Sequence, residues 1–192
     1  ETKGTTLVII VFGMGVWICG LMTYQAFEIA ARRSGHPVSI ITPGISKAEI
    51  FNALRNLSPH FKQTIIVGYP PCVKDIIDES PGEGIQIKKL NLRILCAAES
   101  FTEKFREYIG KKAGIKTLCL DTMNIYGSAD IGTMGYETPT AILFRRLALK
   151  KQHLFGVMFN QIEKTPTLVQ FNPLFTSFES DNGNILLTGD NT

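Results

Sequence analysis

An α/β fold is predicted: a largely parallel, doubly wound sheet with flanking helices, followed by a short antiparallel β region. Three observations predict it. Over the first two thirds of the 192 residues, short apolar runs alternate with helix-like segments that carry start signals. Those runs are almost continuously hydrophobic, as strands buried on both faces are. Beyond about residue 150 the alternation gives way to short runs split by turn residues.

The first run, LVIIVF (7–12), leads through a glycine-bearing turn into a helix from about Gly20 to Arg33. PVSIIT (37–42) precedes Ser46-Lys47-Ala48-Glu49, whose hydroxyl and carboxylate spacing reads as a capping box. QTIIVGY (63–69) precedes Pro70-Pro71 and the helical CVKDIID; proline is tolerated there because a first-turn N–H has no partner anyway. LRILCAA (92–98) precedes a second capping box, Ser100-Phe101-Thr102-Glu103, and the helix EKFREYIGKKAG. KTLCLD (116–121) reads as the fifth strand, running into the polar loop NIYGSAD. Five such runs separated by helices imply a parallel sheet covered on both faces. In the tail, HLFGVMF, TLVQFN, LFTSFE and NILLTG read as antiparallel strands, with Asp181-Asn182-Gly183 as a hairpin turn. Residues 1–150 form one α/β unit and 151–192 a β-rich continuation of it.

Composition narrows the function. The net charge of +3 is spread over mixed signs, without the basic stripe of a nucleic-acid binder. The densest basic cluster, RRLALKK (145–151), reads as a solvated helix face. The apolar stretch Leu7–Met22 is too short and too glycine-rich for a membrane span, and no small-residue cleavage site follows it. Cys19, Cys72, Cys96 and Cys119 form no CxxC pair, which points to reduced, buried thiols in a cytoplasmic protein. His36, His60 and His153 lack the Ser or Cys pattern of a hydrolase triad. The chain opens on Glu and stops just after an apolar run, so it reads as a piece of a longer protein.

The turn VFGMGVWICG (11–20) invites comparison with a dinucleotide fingerprint, G-x-G-x-x-G. Gly13 and Gly15 fit, but Gly20 comes two positions late. The next strand ends at Thr42, with no ribose-binding acid before Glu49. A wide apolar turn carrying Met14, Gly15 and Trp17 at a sheet's carboxyl edge suits the hydrophobic part of an organic acid better than a pyrophosphate. The alternative is that Trp17 packs the helix onto the sheet. A flavodoxin-like or dinucleotide-binding domain also stays open.

The most specific stretch is LCLDTMNIYGSADIGTMGYET (118–138), together with the upstream loop Cys96-Ala97-Ala98-Glu99-Ser100. Here the chain resembles the adenylate-forming superfamily, and within it the phenylacetate–CoA ligase-like branch. NIYGSAD is similar to the superfamily's Y-G-x-[ST]-E motif, and AAES to the branch's G-A-E-[PS] loop, with the same strand–helix–strand between them. FNPLFTSFESDNGNILLTG looks like the branch's later hairpin region. The resemblance implies activation of a small carboxylic acid with ATP and Mg2+, then transfer to a thiol such as coenzyme A; a homodimer stays open. It implies that Tyr126 stacks on adenine beside Gly127 and Ser128, that Asn124 meets the adenine edge, and that the backbone of Ala98, Glu99 and Ser100 covers the other face. Ser100 serving as a helix cap alone is the competing account. Met14, Gly15 and Trp17 would border the acid's pocket, and Asp130 would hold the metal.

Two departures from the family pattern stand out. Ala129 occupies the place of the hydroxyl that meets the α-phosphate, with Ser128 one position early, and Asp130 replaces the metal-binding Glu. They leave open a relative that binds a nucleotide or aromatic ligand without activating it. Lys3-Gly4-Thr5-Thr6 is no substitute for the family's phosphate loop, and the carboxy-terminal lid has no counterpart, so this piece alone is expected to be inactive. Thr188-Gly189-Asp190 is a candidate for the ribose-binding motif.

Overall fold

The computed structural model describes residues 4–15, 17–159 and 165–189. Four strands, β1 (Thr6–Ile10), β2 (Val38–Ile41), β3 (Gln63–Gly68) and β4 (Leu92–Ala97), arise where the apolar runs predict them. With β5 (Thr122–Ser128) and β6 (Gly132–Tyr136) they form one sheet in the order β2-β1-β3-β4-β5-β6. The first five strands are parallel and β6 returns antiparallel along β5.

The alternation of β1 explains how its faces are covered. Leu7, Ile9 and Val11 pack with Ile50 and Leu54 of α2 (Lys47–Asn56), Val73 and Ile76 of α3 (Pro70–Glu79), and Ile109 of α4 (Glu103–Ala113). Val8, Ile10 and Phe12 face the other way, toward Cys19 and Phe27 of α1 (Cys19–Ser34). The helices that follow β1 and β3 therefore lie on opposite faces. That makes the carboxyl ends of β1 and β3 the topological switch point, where sheets of this kind open a crevice.

The fifth strand differs from the sequence expectation. Residues Leu118–Asp121 form a single helical turn, α5, and the strand begins at Thr122. Leu118 lies so close to α4 that a Cβ at Gly110 would overlap it, and Asp121 pairs with Arg93 at 3.1 Å. The strand escaped a hydrophobicity reading because its inward residues, Thr122 and Asn124, are buried and polar. Consequently Asn124, Tyr126, Gly127 and Ser128 belong to a strand, not to a loop.

Three further expectations are corrected. HLFGVMF lies within a helix, α7 (Gln152–Phe159), with Phe155 and Phe159 in edge contact at 5.2 Å; a short run apolar on all sides has no period that separates strand from helix. The helix after β4 is capped by Thr102, which accepts from the Phe105 N–H at 3.2 Å, so Ser100 is not its cap; nor does the Ser46 side chain make a cap bond. Arg145, in α6 (Pro139–Lys150), is buried rather than solvated. TLVQFN contributes one bridge, Tyr136 to Gln170. LFTSFE and NILLTG do supply a hairpin, β7 (Thr176–Asp181) and β8 (Asn184–Gly189), turned at Asn182 and Gly183, both at positive φ. Among the described residues, no helix is long and apolar enough to cross a membrane.

Candidate functional site

Adjacent parallel strands bring the two resemblance-bearing segments together. Cys96 pairs with Asn124 and Ala97 with Ile125, so the turn after β4 and the distal half of β5 rise side by side from the carboxyl edge. Ala98 takes φ 72°, the left-handed region a Cβ disfavours, and redirects the chain. The next residue then offers its carbonyl across the gap: Asn124 Nδ2 donates to Glu99 O at 3.1 Å. Asn124 is only 4% exposed, and its Oδ1 is buried and accepts no bond among the described residues. A buried carbonyl-type acceptor without a donor is an uncommon arrangement in a folded protein.

Two residues along the same face of β5, Tyr126 is 48% exposed. The pairing slips between Tyr126 and Gly127, and a Cβ at Gly127 would overlap Gly132 O, so glycine is required for the hairpin strands to approach. Ser128 Oγ accepts from the Ile131 N–H at 3.2 Å and so closes the turn that carries Ala129 and Asp130. Asp130 sits exposed in that turn, and Glu99 and Ser100 are exposed in the segment that follows β4. Among the described residues no cluster of three His, Cys, Asp or Glu side chains could hold a metal. One hairpin carboxylate fits Mg2+ only where other oxygens, such as a nucleotide's phosphates, complete the shell.

Gly20, at the end of the glycine turn, serves packing. A Cβ at Gly20 would overlap Met14 Sδ and lie 3.2 Å from Gly13 O, so the absent side chain makes room for Met14 itself. Gly15, at φ 100°, turns the chain, and Trp17 is 67% exposed, which removes the alternative that it wedges helix against sheet. Phe12 and Tyr69 meet edge-on at 4.8 Å beneath the turn. A Cβ at Gly132 would come 3.2 Å from Met22 Cε, so the first turn of α1 adjoins the β5–β6 hairpin. The apolar turn and the hairpin thus stand on one side of the carboxyl edge. A separate cleft of about 460 Å³, between Ile41, Pro43 and α2 residues such as Glu49 and Asn52, lies at the opposite end of the sheet.

No thiol offers a nucleophile near neutrality at Cys19, Cys72 or Cys96: burial raises all three, Cys96 to about 12. Burial also raises the Tyr69 phenol, with smaller contributions from Cys19 and Glu99.

Sequence reasoning missed four charged residues beneath the site. Glu103, Arg106, Glu137 and Arg145 are each at most 5% exposed. Arg106 Nε donates to Glu103 Oε2 at 3.0 Å, its Nη2 to both Glu137 oxygens at 2.7 Å, and its Nη1 to Thr122 Oγ1 at 2.8 Å. Arg145 donates to Glu103 Oε1 and to Phe101 O, both at 2.8 Å. Glu137 Oε2 accepts the main-chain N–H of Asn124 at 2.9 Å. Desolvation works against the Arg145 charge, and the two carboxylates oppose that effect. The only sequence signal was indirect: Thr122 and Asn124 are polar at inward strand positions.

Neither a protein-family model nor a curated protein matches the sequence. Among solved structures, the fold is similar to an open conformation of 2-hydroxyisobutyryl-CoA ligase in complex with 2-HIB-AMP and CoA, at TM-score 0.53 and 13% identity over 70% of this chain and 28% of that one. The same ligase in its thioesterification state matches at TM-score 0.51 and 12% identity, over 69% of this chain and 27% of that one. Coronafacic acid ligase from Pectobacterium brasiliense gives TM-score 0.48 and 15% identity, over 71% and 24%. The chain spans less than a third of the length of these structures. At such identities the likeness is one of fold alone: an α/β unit similar to part of 2-hydroxyisobutyryl-CoA ligase.

Proposed function

We propose that this chain supplies the nucleotide-binding side of a longer acid–thiol ligase of the phenylacetate–CoA ligase-like kind. The carrying observation is Asn124, buried between two crossover segments with its amide nitrogen engaged by Glu99 O and its Oδ1 unpartnered. An adenine amino group is a donor of the type that oxygen lacks, and it reaches the shielded oxygen once the turn after β4 shifts. Tyr126, exposed further along the same face, supplies a ring for stacking, with the exposed backbone of Gly127 beside it. The backbone of Ala98, Glu99 and Ser100 forms the facing wall. Met14, Gly15 and Trp17 border the acid's apolar part, and Asp130 joins the phosphates in holding Mg2+. Residues 1–150 carry these roles and 151–192 continue the same domain.

In the proposed reaction a carboxylate oxygen attacks the α-phosphorus of ATP and pyrophosphate leaves. A thiol then attacks the acyl carbon and AMP leaves, with coenzyme A as the expected acyl acceptor. Structures of 2-hydroxyisobutyryl-CoA ligase with 2-HIB-AMP and CoA, of similar fold, lend support. The test is ATP–pyrophosphate exchange by the full-length protein across a panel of small aliphatic and aryl acids, with calorimetric titration of AMP. Exchange with any acid supports the ligase; absence of both exchange and AMP binding refutes it.

One observation favours a second reading, a nucleotide binder without catalysis. Ser128 Oγ is engaged by the Ile131 N–H, and Ala129 brings no hydroxyl in its place. AMP binding without exchange would select that reading. The strand order β2-β1-β3-β4-β5 is also that of flavin-binding sheets. Met14 folded over Gly20 at the switch point weighs against a phosphate there, and visible absorbance of the purified protein tests the point.

A further inference from the structure

The four buried charges connect the two walls of the proposed nucleotide site by one unbroken path. Phe101 O accepts from Arg145; Arg145 donates to Glu103; Glu103 accepts from Arg106; Arg106 donates to Glu137; and Glu137 accepts the Asn124 N–H. Phe101 directly follows the Ala98–Ser100 turn, and Asn124 is the residue whose side chain closes the gap to Glu99. The path therefore begins on one wall and ends on the other.

Stability alone is a poor reason for such a cluster. Two arginines and two glutamates lose their water here, and an apolar cluster of equal volume often serves a core as well or better. An apolar cluster would leave the Asn124 N–H and Phe101 O without these partners, and it would not fix direction. Guanidinium forks do fix it, because their donors lie in one plane at set angles. Arg106 uses three nitrogens toward Glu103, Thr122 and Glu137, so α4, β5 and the start of the α6 segment share one register.

We propose that Glu137 and Arg145 are positioning residues for the nucleotide: they set the separation of the β4–α4 turn from β5, and with it the placement of Asn124 Oδ1. This inference rests on the ligase reading above. The two conservative changes are Glu137→Gln, which keeps an acceptor for the Asn124 N–H but drops the charge, and Arg145→Lys, which keeps the charge but loses the fork.

The experiment is calorimetric titration of AMP into the full-length protein and both variants, well below their melting temperatures. Positioning predicts about a tenfold weaker Kd at unchanged stoichiometry, with Arg145→Lys no better than Arg145→Met. A purely structural role predicts fewer competent sites at an unchanged Kd, and that result would overturn the proposal. Failure of both conservative variants to fold would make the cluster a stability element and overturn it as well. If the wild type binds no AMP, the parent reading falls and this inference with it, an outcome seen in the wild-type titration alone.

Discussion

Asn124 is gripped at two points by different segments: Glu137 Oε2 takes its main-chain N–H at 2.9 Å, while its side-chain amide donates to Glu99 O at 3.1 Å. The residue is thus fixed in backbone and rotamer before any ligand arrives. Its Oδ1, shielded from solvent, accepts no bond among the described residues.

Replacing Asn124 with Ala removes the acceptor and frees Glu99 O. A neutral hydrogen bond contributes on the order of 1 kcal/mol, so AMP affinity should fall by about three- to tenfold. Titration calorimetry on the full-length protein reads this directly. Equal affinity in the variant would exclude Asn124 from the contact.

Tyr126→Ala tests stacking. Base–aromatic stacking is worth about 1–3 kcal/mol by such substitutions, so ATP or AMP binding should weaken at least several-fold. Because the ring is half exposed and packs little, the melting temperature should barely move. A large loss of stability with intact binding would assign the ring to the fold instead.

Gly127→Ala should destabilise strongly. The added Cβ would collide with the main-chain oxygen of Gly132, and backbone in a paired hairpin cannot step aside as a side chain can. Overpacking of this kind costs about 1–3 kcal/mol, seen as a lowered Tm in thermal unfolding. An unchanged Tm would mean that the bulge at Tyr126 and Gly127 relaxes freely.

Trp17 is the only tryptophan in the sequence and is largely exposed, which makes its emission a local probe. If the turn borders the acid, a bound aryl carboxylate should shift or quench that fluorescence, and Trp17→Ala should raise the KM for the acid more than that for ATP. Equal effects on both would place the turn outside the acid's pocket.

Cys96 gives the pH prediction. Its thiol, buried against α4 and the sheet, is raised from 9.0 to about 12. The unfolded chain releases that proton first, so the contribution is fully present below pH 9.0 and is lost as pH climbs toward 12. Denaturant melts from pH 8 to about pH 11 should therefore show stability falling with a steeper slope in the wild type than in Cys96→Ala. Matching slopes would show the thiol to be accessible.

The strands that position the switch point were legible in the sequence because the cores of β1 and β3 are apolar on both faces, and burial on two sides needs no partner-specific information. Capped helices between them left a doubly wound sheet as the natural arrangement. The hairpin at Asn182-Gly183 was legible for a local reason too, since both residues accept positive φ. Of the site, the pairing of the AAES and NIYG segments could be anticipated from adjacent strands. The start of β5 could not, because a strand with Thr122 and Asn124 inward mimics a polar loop until Arg106 is seen beneath it. The Thr188-Gly189-Asp190 candidate is divided: Thr188 and Gly189 end β8, and Asp190 lies outside the described residues.

By itself, then, the sequence determined the layers: which segments are strands on four of the parallel positions, which helices cover them, and which two segments meet at the carboxyl edge. Tertiary structure decided what each polar residue does there. Arg145 looks like solvent-facing charge in a helix until it is found bonded to Phe101 O. The reason is physical. Apolar burial follows local periodicity, whereas a charge can be buried only where distant residues supply its counter-charges, and those partners are set by three-dimensional neighbours rather than by spacing along the chain.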